Sequence, residues 1–196
     1  MFANRFTAFV DACTLVSVLR RNLLLTLAEA EFFRLRWSAE VLDETQKALE
    51  EIHLKRGFQD AADRAARARA FMENAFEDAI VDGYDHLLPL AAKLPDQNDA
   101  HVLAAAVKTQ ASMIVTENLK DFPSKILSAL NIEAKSADEF IADTIALDPG
   151  RAVAVIRQMR ERFKQPEKTA GILLLEMEAD GLVETVNLLR TYIDSL

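Results

Sequence analysis

Apolar residues occur along this chain in two patterns, short continuous runs and longer stretches with helical spacing. Short runs at residues 7–11, 79–82, 112–116 and 132–134 read as buried strands. Apolar positions that recur every three or four residues predict helices between them. The predicted helices are 15–33, 39–53, 61–75, 95–109, 124–130 and 136–146. Strands that alternate with helices predict an α/β domain with a parallel sheet.

The pattern changes after Asp148-Pro149-Gly150, a combination of residues that favours a turn. Only helical spacing follows, and the predicted helices there are 151–164, 169–179 and 182–193. We therefore expect a first domain over residues 1–147 and a helical extension over residues 148–196.

Composition narrows the class of protein. Hydrophobic residues make up 51% and charged residues 28% of the 196 residues, which is typical of a folded, helix-rich globular protein. The net charge of −8 argues against sequence-blind nucleic-acid binding through bulk positive charge, unless bound cations offset the acids. The single cysteine, Cys13, cannot form an internal disulfide, and no uncharged run is long enough for a membrane span. We expect a cytoplasmic protein without a signal peptide.

Four acids follow or begin predicted elements. Asp11 ends the first strand, Glu40 and Asp99 open helices, and Asp121 follows a later strand. Ligands of open parallel sheets bind beyond the carboxyl ends of the strands, so this topology would bring the four carboxylates together.

Each acid also has a structural explanation. Asp96 and Asp99 suit the start of a helix, Glu40 suits a first helical turn, and Asp121 suits an Asx-type turn. Asp11 is the hardest to explain in this way, because a buried carboxylate without a partner is unfavourable.

A cluster of carboxylates predicts metal chemistry. Such groups raise one another's pKa unless cations offset their charge, and hard oxygen ligands favour Mg²⁺ or Mn²⁺. These ions can activate a water molecule and stabilise a leaving oxygen, which describes the hydrolysis of a phosphodiester.

Four segments of the chain resemble the PIN-domain family. They are Phe9-Val-Asp-Ala-Cys-Thr-Leu15, Ser38-Ala-Glu-Val-Leu42, the stretch from Leu94 to Ala106, and Ile114-Val-Thr-Glu-Asn-Leu-Lys-Asp-Phe122. The last two are the specific ones, because an acid before an alanine-rich apolar helix precedes a strand that leads into Thr-x-Asn-x-x-Asp-Phe. The four segments come in the family's order and cover about the first 140 residues.

The resemblance implies a three-layer α/β/α fold with a short parallel sheet and a C-terminal helical extension. It implies an endoribonuclease that uses one or two Mg²⁺ or Mn²⁺ ions, similar to the toxins of bacterial toxin–antitoxin pairs. Partners would be RNA, a cognate antitoxin and a second copy of the chain. The implied acidic residues, which would hold the metal and carry catalysis, are Asp11, Glu40, Asp99 and Asp121.

The resemblance also implies that Thr116 and Asn118 orient Asp121, a water molecule or the scissile phosphate. Two features depart from the family pattern. Related chains often carry Arg where this one has Ala100, and Asp96 is close enough to Asp99 to compete as a metal ligand.

Two other functions are compatible with the sequence. A PIN-like module could bind protein or RNA without cleaving it, and a receiver-type or phosphatase-type α/β domain could carry a phosphorylated aspartate. The three histidines are widely separated in sequence, so we interpret them as structural or surface residues. We interpret Cys13 as a small buried apolar residue.

Overall fold

The computed structural model of the chain describes residues 6–164 and 166–196. Within these ranges the chain forms five short strands and ten α-helices. The strands are β1 (Thr7–Val10), β2 (Arg34–Ser38), β3 (Ile80–Val81), β4 (Met113–Val115) and β5 (Glu133–Lys135). The helices are α1 (Ala12–Leu15), α2 (Val18–Glu29), α3 (Ala39–Lys55), α4 (Ala61–Ala75), α5 (Ala100–Lys108), α6 (Ser124–Leu127), α7 (Ala137–Leu147), α8 (Pro149–Glu161), α9 (Ala170–Ala179) and α10 (Val183–Arg190).

The five strands form one parallel sheet in the order β3-β2-β1-β4-β5. Phe9 on the central strand β1 lies opposite Arg36 on β2 and Ile114 on β4. The strand order reverses at β1, so the carboxyl ends of β1 and β4 border the crevice where open α/β sheets bind their ligands. The predicted fold class, a parallel sheet with flanking helices followed by C-terminal helices, is confirmed.

Strand β2 was absent from the prediction, which left residues 34–38 unassigned between two helices. The segment alternates Arg34, Leu35, Arg36 and Trp37, and both apolar side chains are buried. Arg36 remains at the edge of the core and donates a hydrogen bond to the backbone carbonyl of Asp78. Buried and more exposed side chains alternate here, as is typical of a strand. The two arginines leave no continuous apolar run, which is why the sequence did not predict this strand.

The helix predicted over residues 15–33 is present but shorter, since α2 covers Val18–Glu29 and the separate helix α1 ends at Leu15. Ser17 adopts an extended backbone conformation, and its hydroxyl accepts the Arg20 amide at 3.4 Å, which makes it the N-cap of α2. After α2, Glu31 adopts a positive φ of 61° and ends the helical segment before β2.

The chain divides into two compact units, and the first carries the sheet. This sheet unit comprises residues 6–16 and 34–135. Trp37, Phe9, Leu103 and Ile114 are fully buried in its core. Burial of each such side chain stabilises the fold by about 1.5 to 3 kcal/mol, so the core holds the ends of β1 and β4 in place.

The second unit, the helical unit, contains residues 17–33 and 136–196. Its helix α7 begins with a capping box in which Ser136 and Glu139 bond to each other's backbone amides. The Asp138 carboxylate accepts the amides of Glu184 and Thr185, both at 2.8 Å, at the start of α10. A side chain from α7 therefore satisfies two of the amides that the start of α10 leaves without an intrahelical partner.

The predicted turn at Asp148 is followed directly by a helix. Asp148 caps α8 by accepting the Arg151 amide at 3.2 Å, and Pro149 occupies the first helical turn, where it needs no amide proton. The predicted boundary after residue 147 falls inside the helical unit. A first domain over residues 1–147 and an extension over residues 148–196 remain a prediction. Among the helices of the described residues, none combines the length and apolarity that a membrane crossing requires.

Candidate active site

Asp11 lies directly after the central strand β1 and is 4% exposed. Its backbone amide donates to the Val115 carbonyl at 3.0 Å, which continues the pairing of β1 with β4. One carboxylate oxygen, Oδ1, accepts the Ala12 amide at 2.7 Å. The other, Oδ2, accepts the Thr116 hydroxyl at 2.7 Å. Asp11 is therefore a buried acid whose orientation is set by the first residue of α1 and by Thr116, which follows β4.

Thr116 follows β4 and is fully buried. Its hydroxyl donates to Asp11 and accepts the Asn118 amide at 3.0 Å. The Asn118 carbonyl in turn accepts the Asp121 amide at 2.9 Å, within the 3₁₀ turn that presents Asp121. Thr116 thus orients Asp11 through its side chain, and Asn118 supports Asp121 through its backbone.

Asp96 and Asp99 flank a 3₁₀ turn just before α5. The Asp96 side chain accepts the Asn98 amide at 2.9 Å and so caps this turn. Asp99 precedes the first residue of α5, and its Oδ2 atom is buried without a hydrogen-bond partner among the residues that the structure describes. Asp96 therefore has a structural partner, whereas one oxygen of Asp99 has none.

Burial and neighbouring charges raise the pKa of Asp99 to about 6. Desolvation is the largest cause, and the negative charges of Asp11, Asp96 and Asp121 add to it. Charges must be close to act in this way. The fold thus brings Asp11 and Asp121, from two distant parts of the chain, into electrostatic contact with Asp99, and the sequence neighbour Asp96 adds a third charge.

Glu40 lies in the first turn of α3 and is exposed. The Tyr84 hydroxyl lies close enough to its carboxylate to lower the pKa of Glu40, although no hydrogen bond of standard geometry joins them. The pKa of Tyr84 rises to about 12, first through burial and then through Glu40. Glu40 and His101 interact electrostatically, since the charge of His101 lowers the pKa of Glu40 and the charge of Glu40 raises the pKa of His101.

His101 lies two residues after Asp99, and its Nε2 atom is 3.1 Å from Glu44 Oε1. Burial acts to lower the pKa of His101, but the bond to Glu44 and the charges of Glu44, Asp11 and Glu40 outweigh it and raise the pKa. Its Nδ1 atom is buried without a partner within the described ranges. These contacts favour the protonated form of His101 next to the acidic group, and the sequence analysis did not single out this residue.

Cys13 was expected to be a small buried apolar residue, but it is half-buried and makes polar contacts. Its sulfur lies 3.1 Å from Asp11 Oδ2, and burial followed by the Asp11 charge raises its pKa to about 11. The thiol is therefore protonated at neutral pH. Cys13 lies two residues after Asp11 and His101 two residues after Asp99. This closeness to a predicted acid was the sequence signal that could have drawn attention to both residues. Tyr84 is distant from every predicted site residue in sequence, so no local signal existed for it.

The donor set fits a hard divalent cation. No three His, Cys, Asp or Glu side chains within residues 6–164 and 166–196 form a ready-made metal cage. The carboxylates around Asp99 nevertheless repel one another, and none of the described residues donates a hydrogen bond to its buried Oδ2 atom. A cation among carboxylate oxygens would relieve both conditions, and such oxygens are the ligands that Mg²⁺ and Mn²⁺ prefer.

Two regions of the chain match models of known protein families. The PIN-domain family model matches residues 7–120, which is more than half of the chain. The model described as the VapC50 C-terminal domain matches residues 137–191. No solved structure matches the chain.

One similar protein comes from Mycobacterium tuberculosis (strain ATCC 25618 / H37Rv) and bears the name "Putative ribonuclease VapC50". It is 39% identical over 101 residues, which cover 52% of this chain and 59% of that protein. The match therefore spans about three fifths of the relative's length.

Proposed function

This chain belongs to the PIN-domain family, and we propose that it is a divalent-metal-dependent endoribonuclease that acts as the toxin of a toxin–antitoxin pair. The name of the mycobacterial relative, which describes a ribonuclease, supports the substrate class. The match to a VapC50 C-terminal domain supports a relationship to that protein over the helical region as well.

The observation that carries the proposal is the convergence of carboxyl groups at Asp99. Asp11, Asp96 and Asp121 act on this carboxyl together, and its Oδ2 atom is buried without a partner within the described chain. Like charges held close together disfavour ionisation unless a cation offsets them, and perturbed carboxyl groups cluster at functional sites.

In this proposal Asp11, Asp99, Asp121 and Glu40 hold one or two Mg²⁺ or Mn²⁺ ions, and Asp96 is a further candidate ligand. When bound, such ions supply a water molecule of lowered pKa and positive charge for the oxygen that leaves. Hydrolysis joins the water oxygen to phosphorus and breaks the bond from phosphorus to the 3′ oxygen. The products carry a 5′ phosphate and a 3′ hydroxyl.

The protein's own side chains would prepare this reaction by orientation. The Thr116 hydroxyl and the Ala12 amide hold the two oxygens of Asp11 in one direction. The Asn118 carbonyl fixes the turn that presents Asp121. Orientation of this kind is how neighbours of a metal ligand raise its affinity and its catalytic effect.

The same proposal includes a cognate antitoxin and a homodimer. Co-expression with the product of the adjacent open reading frame should yield a stable complex in which cleavage is suppressed. Light scattering of the purified chain tests for a dimer. A monomer by scattering would refute the dimer, and undiminished cleavage in the presence of that product would refute its role as antitoxin.

The decisive experiment incubates a fluorescently labelled RNA with the purified chain in Mg²⁺ or Mn²⁺, with EDTA as the metal-free arm. Asp11→Asn should abolish cleavage while the circular dichroism spectrum remains unchanged. Glu51→Gln serves as the control, because Glu51 is an exposed acid on α3 away from the acidic group. RNA binding without metal-dependent cleavage by the unaltered chain would instead support the binding-module alternative.

A further inference from the structure

The thiol of Cys13 has a defined place beside Asp11. Cys13 is the second residue of α1, and its Sγ atom lies 3.1 Å from Asp11 Oδ2, within hydrogen-bond reach for sulfur. An ionised carboxylate only accepts hydrogen bonds, so in this contact the thiol is the donor. The contact is short and partly shielded from solvent.

Thr116 donates to the same oxygen. Its Oγ1 atom is 2.7 Å from Asp11 Oδ2 and 3.3 Å from Cys13 Sγ, so the three atoms form a closed triangle. The remaining carboxylate oxygen accepts the Ala12 amide. Two donors on Oδ2 and one on Oδ1 restrain the rotation of the carboxylate, and of its roughly four lone-pair sites they leave one, on Oδ1, for a metal.

Both side chains also accept an amide from the loop after β4. The Glu117 amide donates to Cys13 Sγ at 3.2 Å, and the Asn118 amide donates to Thr116 Oγ1 at 3.0 Å. This loop continues into the turn that carries Asp121. Cys13 therefore joins the segment of one proposed metal ligand to the segment of another.

We propose that Cys13 is a positioning residue that, together with Thr116, fixes the Asp11 carboxylate and the Asp121 loop for metal binding. This inference rests on the proposed function, since it needs a metal at Asp11. A thiol is a weak donor, so loss of Cys13 belongs at the low end of the 10- to 100-fold reduction in metal affinity that follows removal of such neighbours.

The test measures Mn²⁺ affinity by the electron paramagnetic resonance signal of the free ion, which requires no catalysis. Cys13→Ala should bind Mn²⁺ about 10-fold more weakly than the unaltered chain, at the lower limit for such neighbours. Cys13→Ser should retain the affinity within about twofold, because a hydroxyl can donate to Asp11 and accept from Glu117. Thr144→Val is the matched control, since it removes a buried hydroxyl that donates to the Phe140 carbonyl within α7.

A Cys13–Thr116 double-mutant cycle tests whether the two donors share one oxygen. Groups in one hydrogen-bond network show non-additive effects, so the loss of affinity in Cys13→Ala/Thr116→Val should differ from the product of the single losses. Simple multiplication of the two effects would contradict the shared role.

Two further results would overturn the inference about Cys13. One is unchanged Mn²⁺ affinity in Cys13→Ala, and the other is an equal loss in Cys13→Ser, which would assign the effect to packing. Failure of the proposed function has a different signature. In that case the unaltered chain and Asp11→Asn would bind Mn²⁺ equally poorly, whatever residue stands at position 13.

Discussion

Replacing Asp99 with asparagine should stabilise the metal-free protein, although the residue lies in the proposed active site. The pKa of Asp99 rises from 3.8 to about 6 through burial and the charges of Asp11, Asp96 and Asp121. A difference of two pKa units corresponds to about 3 kcal/mol before solvent screening is considered. Asp99 is partly exposed, and screening reduces the expected gain to about 1 kcal/mol.

The sign of this effect depends on pH. An acid whose pKa is raised on folding destabilises the folded state when ionised, so the unfavourable contribution develops as pH rises from about 4 to about 6. Asp99→Asn should therefore be more stable than the unaltered chain at pH 7, and the difference should disappear near pH 4. For a protein of this size, 1 kcal/mol shifts the melting temperature by about 2 to 4 °C.

The assay is thermal unfolding in EDTA between pH 4 and pH 7.5. Glu51→Gln is the control variant, because it removes one carboxylate that is exposed. Adding Mn²⁺ should reverse the order of stability, because binding to the native state stabilises the unaltered chain by about 2.7 kcal/mol at 100 times the dissociation constant. Asp99→Asn would lose most of that gain. Equal melting temperatures in EDTA at pH 7, or a difference that persists at pH 4, would refute the electrostatic reasoning.

Other predictions concern neighbouring residues and the two units. His101→Ala should weaken RNA cleavage several-fold at constant protein stability, and undiminished kcat/KM would contradict a role for this residue at the site. Tyr84→Phe should raise the pKa of Glu40, which a carboxyl NMR titration measures directly, because the hydroxyl lowers it. Trp37→Ala should destabilise the sheet unit by about 3 to 5 kcal/mol in urea unfolding, since the side chain is fully buried. Asp138→Ala should cost about 1 to 2 kcal/mol through the lost cap of α10 while leaving Mn²⁺ affinity unchanged.

Three residues near the acidic group show why the sequence alone did not predict their contacts. His101 and Cys13 lie within two residues of predicted acids, but their contacts come from Glu44 and Thr116, which are 57 and 103 positions away in the chain. Tyr84 follows Gly83, whose φ of 62° permits a turn there, and no sequence pattern connects it with Glu40. Side chains of this kind acquire a role only when packing brings separate segments together.

The sequence by itself determined the alternating strands and helices of the sheet unit, the helical character of the C-terminal region and the position of each acid at the end of an element. These features follow from local periodicity and capping, which depend on neighbours a few residues away. Strand β2 escaped detection because Arg34 and Arg36 interrupt its apolar pattern. The tertiary structure alone decided the order of the strands, the contact of Thr116 and Cys13 with Asp11, and the raised pKa of Asp99. Those properties depend on distances between residues far apart in the chain, and only the packed core sets such distances.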